Sequence, residues 1–259
     1  MTSKTSKIVS LQKKCKSCGK PYKIIPQIVP FFGKMIDKSY LKPDCNCLEI
    51  EEEKRAQKAQ GQRMVANIRR LKNCGINLRF KTKTFSNFDR AKDSNAYNTC
   101  RDYGRSFGKN KKEGLLLSGP AGTGKTHLAV AILDYIVRLK QRLIKKEIIF
   151  TTVPDMVEKV RKKMFINPKA PDKEVYKESL LECDLLVLDD LGAESMTDWT
   201  RDLVHQIIDF RYQGKTPTVI TTNLTLGRIK ELYGERVYSR IYEMCHGVEL
   251  SGSDYRIGG

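Results

Sequence analysis

Three stretches of this chain have the residue types and spacing that phosphate chemistry needs. The first is Gly119, Pro120, Ala121, Gly122, Thr123, Gly124, Lys125 and Thr126, which fits the pattern G-x-x-x-x-G-K-[ST] without departure. Glycines at those positions let backbone N–H groups close around phosphate oxygens, and the helix start that follows adds positive potential. Lys125 is expected to reach the β- and γ-phosphates of ATP and the Thr126 hydroxyl to ligate Mg²⁺. His127, at the start of the helix that follows, is a nucleotide-site candidate, although a histidine there is more often structural than catalytic. The second stretch runs from Asp184 through four apolar residues to Asp189 and Asp190. There Asp189 is expected to hold the magnesium shell and Asp190 to polarise the attacking water. The third, Thr216 to Asn223, ends an apolar run in an amide that could orient water or the γ-phosphate. Alone it is a weak signal, because asparagine after a strand is usually a turn residue.

These residues need a scaffold that brings distant segments to one edge. The glycine-rich loop follows the apolar stretch 114–118 and opens a helical pattern from His127 to Leu139, the strand–loop–helix context that the pattern requires. Further strands are expected at 147–151, 184–189, 217–221 and 247–250, alternating with helical patterns such as Thr197 to Tyr212. That alternation predicts an α/β fold, a parallel sheet with helices on both faces, in which ligands bind at the C-terminal strand ends. The strand 147–151 lies between the loop and the acidic strand, so the acids are not on the next strand in sequence. This order resembles the phosphate-loop ATPases with an added catalytic-acid strand, the AAA+ and recombinase types.

From about Gly75 to Arg256 the chain resembles the DnaC/DnaI family of bacterial replicative helicase loaders and the related IstB transposition ATPases. The resemblance is carried by Gly75 to Phe80, Thr84 to Phe88, Gly119 to Leu128, Leu185 to Glu194, Trp199, Ile207 to Tyr212, Pro217 to Leu224 and Val237 to Ile241. It implies an AAA+ ATPase domain at 79–259, with Arg240 as an arginine finger offered to the ATP of a neighbouring subunit. A guanidinium suits that task because it stays charged and binds two oxygens at once. Arg236 and Arg256 are weaker candidates. The resemblance also places Phe85 and Phe88 near the adenine, and the basic stretch Lys159 to Lys177 along a path for single-stranded DNA. Glu194 is a further candidate for contact with the site. Two departures stand out: Asp190 occupies a position where many AAA+ proteins have Glu, which implies slow hydrolysis, and about fifteen residues follow the last helical pattern, too few for a C-terminal helical lid.

Four of the eight cysteines cluster early, as Cys15 and Cys18, then Cys45 and Cys47. In a reducing compartment such clustering reads as a metal site rather than as disulfides. The first pair, followed by Gly19, is a good zinc-knuckle half, whereas the second pair has only one residue between its thiols. A segment of about fifty residues has too small a core to fold alone, and Zn²⁺ on four thiolates would supply a staple. The expected organisation is a zinc-binding domain at 1–48, a charged helical linker at 49–78 with an apolar stripe of Met64, Val65, Ile68 and Leu71, and the ATPase domain beyond it. Loaders of the DnaI type also carry a small N-terminal zinc domain, which docks on the helicase.

The formal net charge of the 259-residue chain is +18, and residues 1–70 carry 16 Lys/Arg against 6 Asp/Glu. Such an excess points to a polyanionic partner, above all nucleic acid. Tyr22, Phe31, Phe32 and Tyr40 lie among the lysines and could stack on bases, although zinc-domain core is the commoner use of such residues. The sequence has neither an apolar membrane span nor a signal core at its start, and a cytoplasmic location is expected. The expected function is ATP-dependent loading of a hexameric replicative helicase onto single-stranded DNA during replication initiation or restart, with self-association through ATP-dependent subunit contacts. The alternatives are an IstB-like transposition helper, against which the zinc segment argues, and an ATP-switched module that binds single-stranded DNA.

Overall fold

The computed structural model describes residues 13–31, 34–38, 40–91, 93–109, 114–165 and 172–251. Arg256 and Phe32 lie outside them, as do the side chains of Phe31, Met64 and Ile68. The chain divides into two units, Met1–Val65 and Ala66–Gly259.

In the first unit, β1 (Tyr22–Ile25) and β4 (Tyr40–Pro43) pair antiparallel, with Tyr22 opposite Pro43. Between them, β2 (Ile28–Phe31) and β3 (Lys34–Asp37) form a second antiparallel pair. Helix α1 (Cys47–Asn73) begins in this unit and ends in the next. Its run of Glu, Lys, Arg, Gln and Ala consists of strong helix formers. Within the stripe expected along it, Val65 is exposed and Leu71 belongs to the core of the second unit. Among the described residues of the first unit, Cys15 is the one buried apolar side chain, and Ile24, Ile28 and Tyr40 are each at least half exposed. Among the described residues, hydrophobic burial in this unit is therefore slight.

The second unit is the expected α/β sandwich. Helix α2 (Ser94–Ser106) precedes β5 (Gly114–Ser118), and α3 (Lys125–Leu139) follows it. Then come β6 (Ile148–Thr152), α4 (Val153–Phe165), α5 (Asp172–Glu182), β7 (Leu185–Leu191), α6 (Asp198–Gly214), β8 (Thr218–Thr222), α7 (Leu226–Tyr233), α8 (Glu235–Met244) and β9 (Cys245–Glu249). The five strands are parallel in the order β6-β7-β8-β5-β9. Strand β8 thus separates the strand that leads into the phosphate loop from the acidic strand.

Alternation along the strands distributes the core to both faces. Leu115, Leu117, Leu185, Val187 and Val219 pack with α2 and α3, whereas Leu116, Leu186, Leu188 and Ile220 pack with α4 to α8. Runs buried on both faces are why these strands read as continuously apolar. The β7 strand continues two residues beyond the expected 184–189, and the last strand starts at Cys245 rather than 247. In both cases backbone pairing with β8 or β5 carries the strand through polar or small residues that local pattern does not mark.

Candidate functional site

The loop between β5 and α3 uses its glycines where no other residue fits. Gly119 has φ +137 and Gly124 has φ +99. A Cβ on Gly119 would lie 2.2 Å from the Leu250 carbonyl oxygen, and one on Gly124 would lie 2.9 Å from the Phe88 ring. The Thr123 hydroxyl ties the loop by donating to the Pro120 carbonyl at 2.9 Å. Lys125 is buried, and its Nζ donates to the carbonyls of Gly119 at 2.8 Å and Pro120 at 2.6 Å. The ammonium is thereby held across the loop, where an anionic phosphate oxygen would be a stronger acceptor than a neutral carbonyl.

At the second residue of the helix, the Thr126 hydroxyl donates to Asp189, with oxygen distances of 2.9 and 3.2 Å. Asp189 is almost fully buried at 1% exposure. Burial, with a smaller push from the Asp190 charge, raises its carboxyl to about 6. A buried carboxylate beside a hydroxyl offers the hard oxygen donors that Mg²⁺ prefers, and a cation there would offset the cost of the buried charge. These residues therefore fit a magnesium ion.

The surrounding cleft has a volume of about 440 Å³ and is lined by residues 121–127, Asp190, Asn223, Phe80, Lys83, Asn87, Phe88 and Asp89. Asn223 follows β8, where the Thr222 hydroxyl accepts from the Leu224 N–H at 3.0 Å and fixes the turn. His127 Nε2 lies 2.9 Å from the Thr84 carbonyl oxygen and 3.1 Å from Asn87 Oδ1. Both partners are acceptors here, so Nε2 carries a proton. Phe88 meets the His127 ring edge-on, with centroids 5.2 Å apart.

Two candidates are corrected. Phe85 does not line the cleft: it is buried edge-on against Tyr97 and Tyr135, at 5.6 and 6.2 Å between centroids. Glu194 does not face the nucleotide site either. Its carboxylate accepts from the Tyr233 hydroxyl and from the Gly192 N–H at 3.0 Å, which ties the loop after β7 to α7. The tyrosine that claims it is 39 residues away, too distant for local pattern to reveal.

Arg240 is not brought to the cleft of its own chain. It sits on α8, paired to Asp209 and His205 of α6. Arg236 is exposed and lies 3.5 Å from Asp209. In the basic stretch, Lys159 and Lys163 approach the Tyr176 ring, and Arg161 lies over Trp199 at 5.8 Å.

Sequence reasoning did not single out Arg211, which is fully buried. It donates to the carbonyls of Leu180, Leu181, Cys183 and Pro217 and to Thr218 Oγ1 at 2.6–3.3 Å. These bonds bind the end of α5 and the start of β8 to α6. Its one local signal was a cationic residue in the otherwise apolar register of Leu203, Val204, Ile207 and Ile208.

In the first unit, the sulfurs of Cys15, Cys18, Cys45 and Cys47 lie within 4.8 Å of one another. The knuckle is closed by the Gly19 N–H donating to the Cys15 carbonyl at 2.8 Å, with Gly19 at φ +74. Backbone N–H groups of Ser17 and Cys18 bring the Cys15 thiol down to about 7, while the neighbouring Cys18 and Cys45 sulfurs push Cys47 up to about 12. Four crowded thiols resist losing all their protons unless a cation joins them. Soft sulfur donors in this number fit Zn²⁺, with Zn–S distances of about 2.3 Å. Among the described residues, no helix is long and apolar enough to cross a membrane.

Compared with known protein families, residues 45–258 match the family described as IstB-like ATP binding protein. The replicative helicase loader DnaC of Escherichia coli K12 is 31% identical over 194 residues, which span 74% of this chain and 73% of that protein. Among solved structures, the DnaC helicase loader superposes with a TM-score of 0.58 at 30% identity, covering 68% of this chain and all of that one. The DnaI structure has the same fold, with a TM-score of 0.56 at 23% identity over 68% of this chain and 95% of that one. The phosphate loop, the buried acid beside it, the sheet order and these similarities together make this chain an AAA+ ATPase of the IstB-like ATP-binding family, allied to the DnaC/DnaI helicase loaders.

Proposed function

We propose that this protein loads a hexameric replicative helicase onto single-stranded DNA and uses ATP as the switch. The observation that carries the reading is the similarity to the DnaC loader, which extends over about three quarters of the chain.

In this reading the loop from Gly119 to Thr126 wraps the phosphates of ATP, and Lys125 leaves its carbonyl partners for phosphate oxygens. Magnesium, when bound, neutralises phosphate charge from a site made by Thr126 and Asp189. Asp190 and Asn223, on adjacent strand ends, orient the attacking water. Arg240 serves the ATP of a neighbouring copy, so that hydrolysis depends on assembly. The four-cysteine module, stapled by zinc, holds the helicase together with α1. The lysines of the first unit and the cationic stretch on α4 follow the DNA backbone without reading sequence.

A switch requires ATP to favour one conformer over the other. The test is capture of the replicative helicase from the source cell, with and without ATP, by the full chain and by Lys125→Ala. ATP-sensitive capture, with loading onto single strands lost in Lys125→Ala, is the expected result. Normal loading by Lys125→Ala overturns the switch. Recovery of a transposase in place of the helicase favours the transposition helper, a reading that the IstB-like family match keeps in view.

A further inference from the structure

The ladder between β7 and β8 leaves two residues opposite one. Leu188 pairs with Ile220 and Leu191 with Thr222, so Asp189 and Asp190 together face Thr221. A bulge of this kind deprives one residue of its ladder bond and re-aims the side chains around it. Asp190 takes φ +57, a left-handed conformation uncommon outside glycine. Its N–H donates instead to Thr221 Oγ1 at 2.9 Å. The same hydroxyl donates its own proton to Asp189 Oδ1 at 2.6 Å.

One fully buried hydroxyl thus serves both acids in opposite senses. Among side chains of this size, only a hydroxyl can do so, because it has one proton to give and lone pairs to accept with. Valine has nearly the same shape but would leave a buried carboxylate oxygen and a buried N–H without this partner. Serine would keep both bonds. Thr126 also reaches Asp189, but it belongs to the phosphate loop and is the group expected to turn towards the cation. Thr221 belongs to the sheet rather than to the phosphate loop.

We propose that Thr221 is the positioning residue of the hydrolytic pair: its hydroxyl aims the Asp189 carboxylate and holds Asp190 in the bulged conformation that lines the cleft. The proposal rests on the reading of Asp189 as the cation-holding acid and Asp190 as the water-activating acid.

The test compares the full-length protein with Thr221→Val, Thr221→Ser and Asp190→Asn. Readouts are steady-state ATP hydrolysis, binding of a fluorescent ATP analogue across a Mg²⁺ titration, and thermal melting. Thr221→Val is expected to lower kcat by about tenfold or more, while the analogue's Kd at saturating Mg²⁺ stays within about threefold. Its half-saturating Mg²⁺ concentration is expected to rise. Thr221→Ser is expected to keep kcat and the Mg²⁺ midpoint within about threefold of the unaltered protein. Should Thr221→Val melt below the assay temperature, Thr221→Ala is compared with Thr221→Ser on the same criteria.

Normal turnover and Mg²⁺ dependence in Thr221→Val overturn the proposal. Equal loss in the valine and serine forms also overturns it, since packing would then account for the effect. Normal turnover in Asp190→Asn overturns the acid-pair reading underneath. An inactive Asp190→Asn beside a normal Thr221→Val removes the hydroxyl bridge alone.

Discussion

Arg240 Nη2 lies 2.5 Å from Asp209 Oδ1, an ion pair between α8 and α6 rather than an aligned hydrogen bond. Nη1 of the same guanidinium lies 3.0 Å from His205 Nε2, and the Tyr212 ring flanks it at 5.6 Å. Arg240 is largely buried in this setting, with its side chain 13% exposed. None of these four residues lines the cleft of the same chain. A guanidinium held this way is ordered before any partner arrives, which reduces the entropy lost on docking.

If Arg240 completes a neighbour's site, two inactive forms should repair each other. Arg240→Ala retains an intact cleft and Lys125→Ala retains an intact finger. Each alone is expected to lose on the order of 100-fold in turnover, and an equimolar mixture to recover a measurable fraction. Steady-state hydrolysis across mixing ratios is the measurement. An Arg240→Ala form that binds nucleotide weakly but turns over normally contradicts the finger role.

Asp189 is expected to make nucleotide binding sensitive to acid. Burial first, then the Asp190 charge, raises its carboxyl to about 6 from an ordinary 3.8. A raised acid favours the folded protein fully below the unfolded value, and that contribution is lost as pH climbs through about 6. A magnesium ion held by Asp189 would compete with the proton for the same carboxylate. The Mg²⁺-dependent part of ATP affinity is therefore expected to weaken by about tenfold between pH 7.5 and pH 5. Titrations with and without Mg²⁺ at each pH separate this from general acid effects, and parallel losses in both would refute it.

The first unit should depend on its metal. Its sole buried apolar side chain among the described residues is Cys15, so thiolate–metal bonds are expected to supply stability that a core would otherwise provide. Elemental analysis is expected to find about one zinc per chain, lost in Cys18→Ser. Stripping zinc with a chelator should make residues 13–46 protease-sensitive and leave nucleotide binding by the second unit within about twofold. Unchanged digestion after complete stripping rules out the staple.

Arg211 should be a stability residue with no direct part in hydrolysis. Replacing it with leucine removes a donor from four carbonyls and from the Thr218 hydroxyl, and is expected to cost about 3 kcal/mol or more. Urea unfolding followed by tryptophan fluorescence measures this, with Trp199 as the single reporter. A loss below about 1 kcal/mol would mean that water replaces the guanidinium.

The features legible in the sequence are those written in contiguous residues. The phosphate loop is one uninterrupted run, and all five strands of the sheet were placed to within about two residues, because strands buried on both faces stand out as apolar runs between polar turns. The four early cysteines stand out because they fall in two close pairs, while the other four are scattered. What remained hidden depends on pairing across the fold. The two-against-one register at Asp189 and Asp190 arises only when β8 lies alongside, and nothing in the residues 184–190 marks it. The roles of Glu194 and Arg211 do not show until Tyr233 and three distant carbonyls, those of Leu180, Leu181 and Cys183, claim them. Phe85 and Phe88 are three residues apart, chemically identical and buried in the same core cluster, yet only Phe88 also lines the cleft.

The junction between α8 and β9 has no loop: the helix ends at Met244 and the strand begins at Cys245. Strand β9 runs beside β5 from Gly114–Cys245 to Ser118–Glu249, and the Leu250 N–H donates to the Ser118 carbonyl at 2.8 Å, immediately before the phosphate loop. The element that presents Arg240 and the strand that carries the loop are thus coupled without a hinge. In an assembly where Arg240 serves the adjacent ATP, each protomer would act as a rocker: a shift at its own phosphates would be felt at the arginine it extends, and nucleotide state could pass from one protomer to the next as a mechanical message.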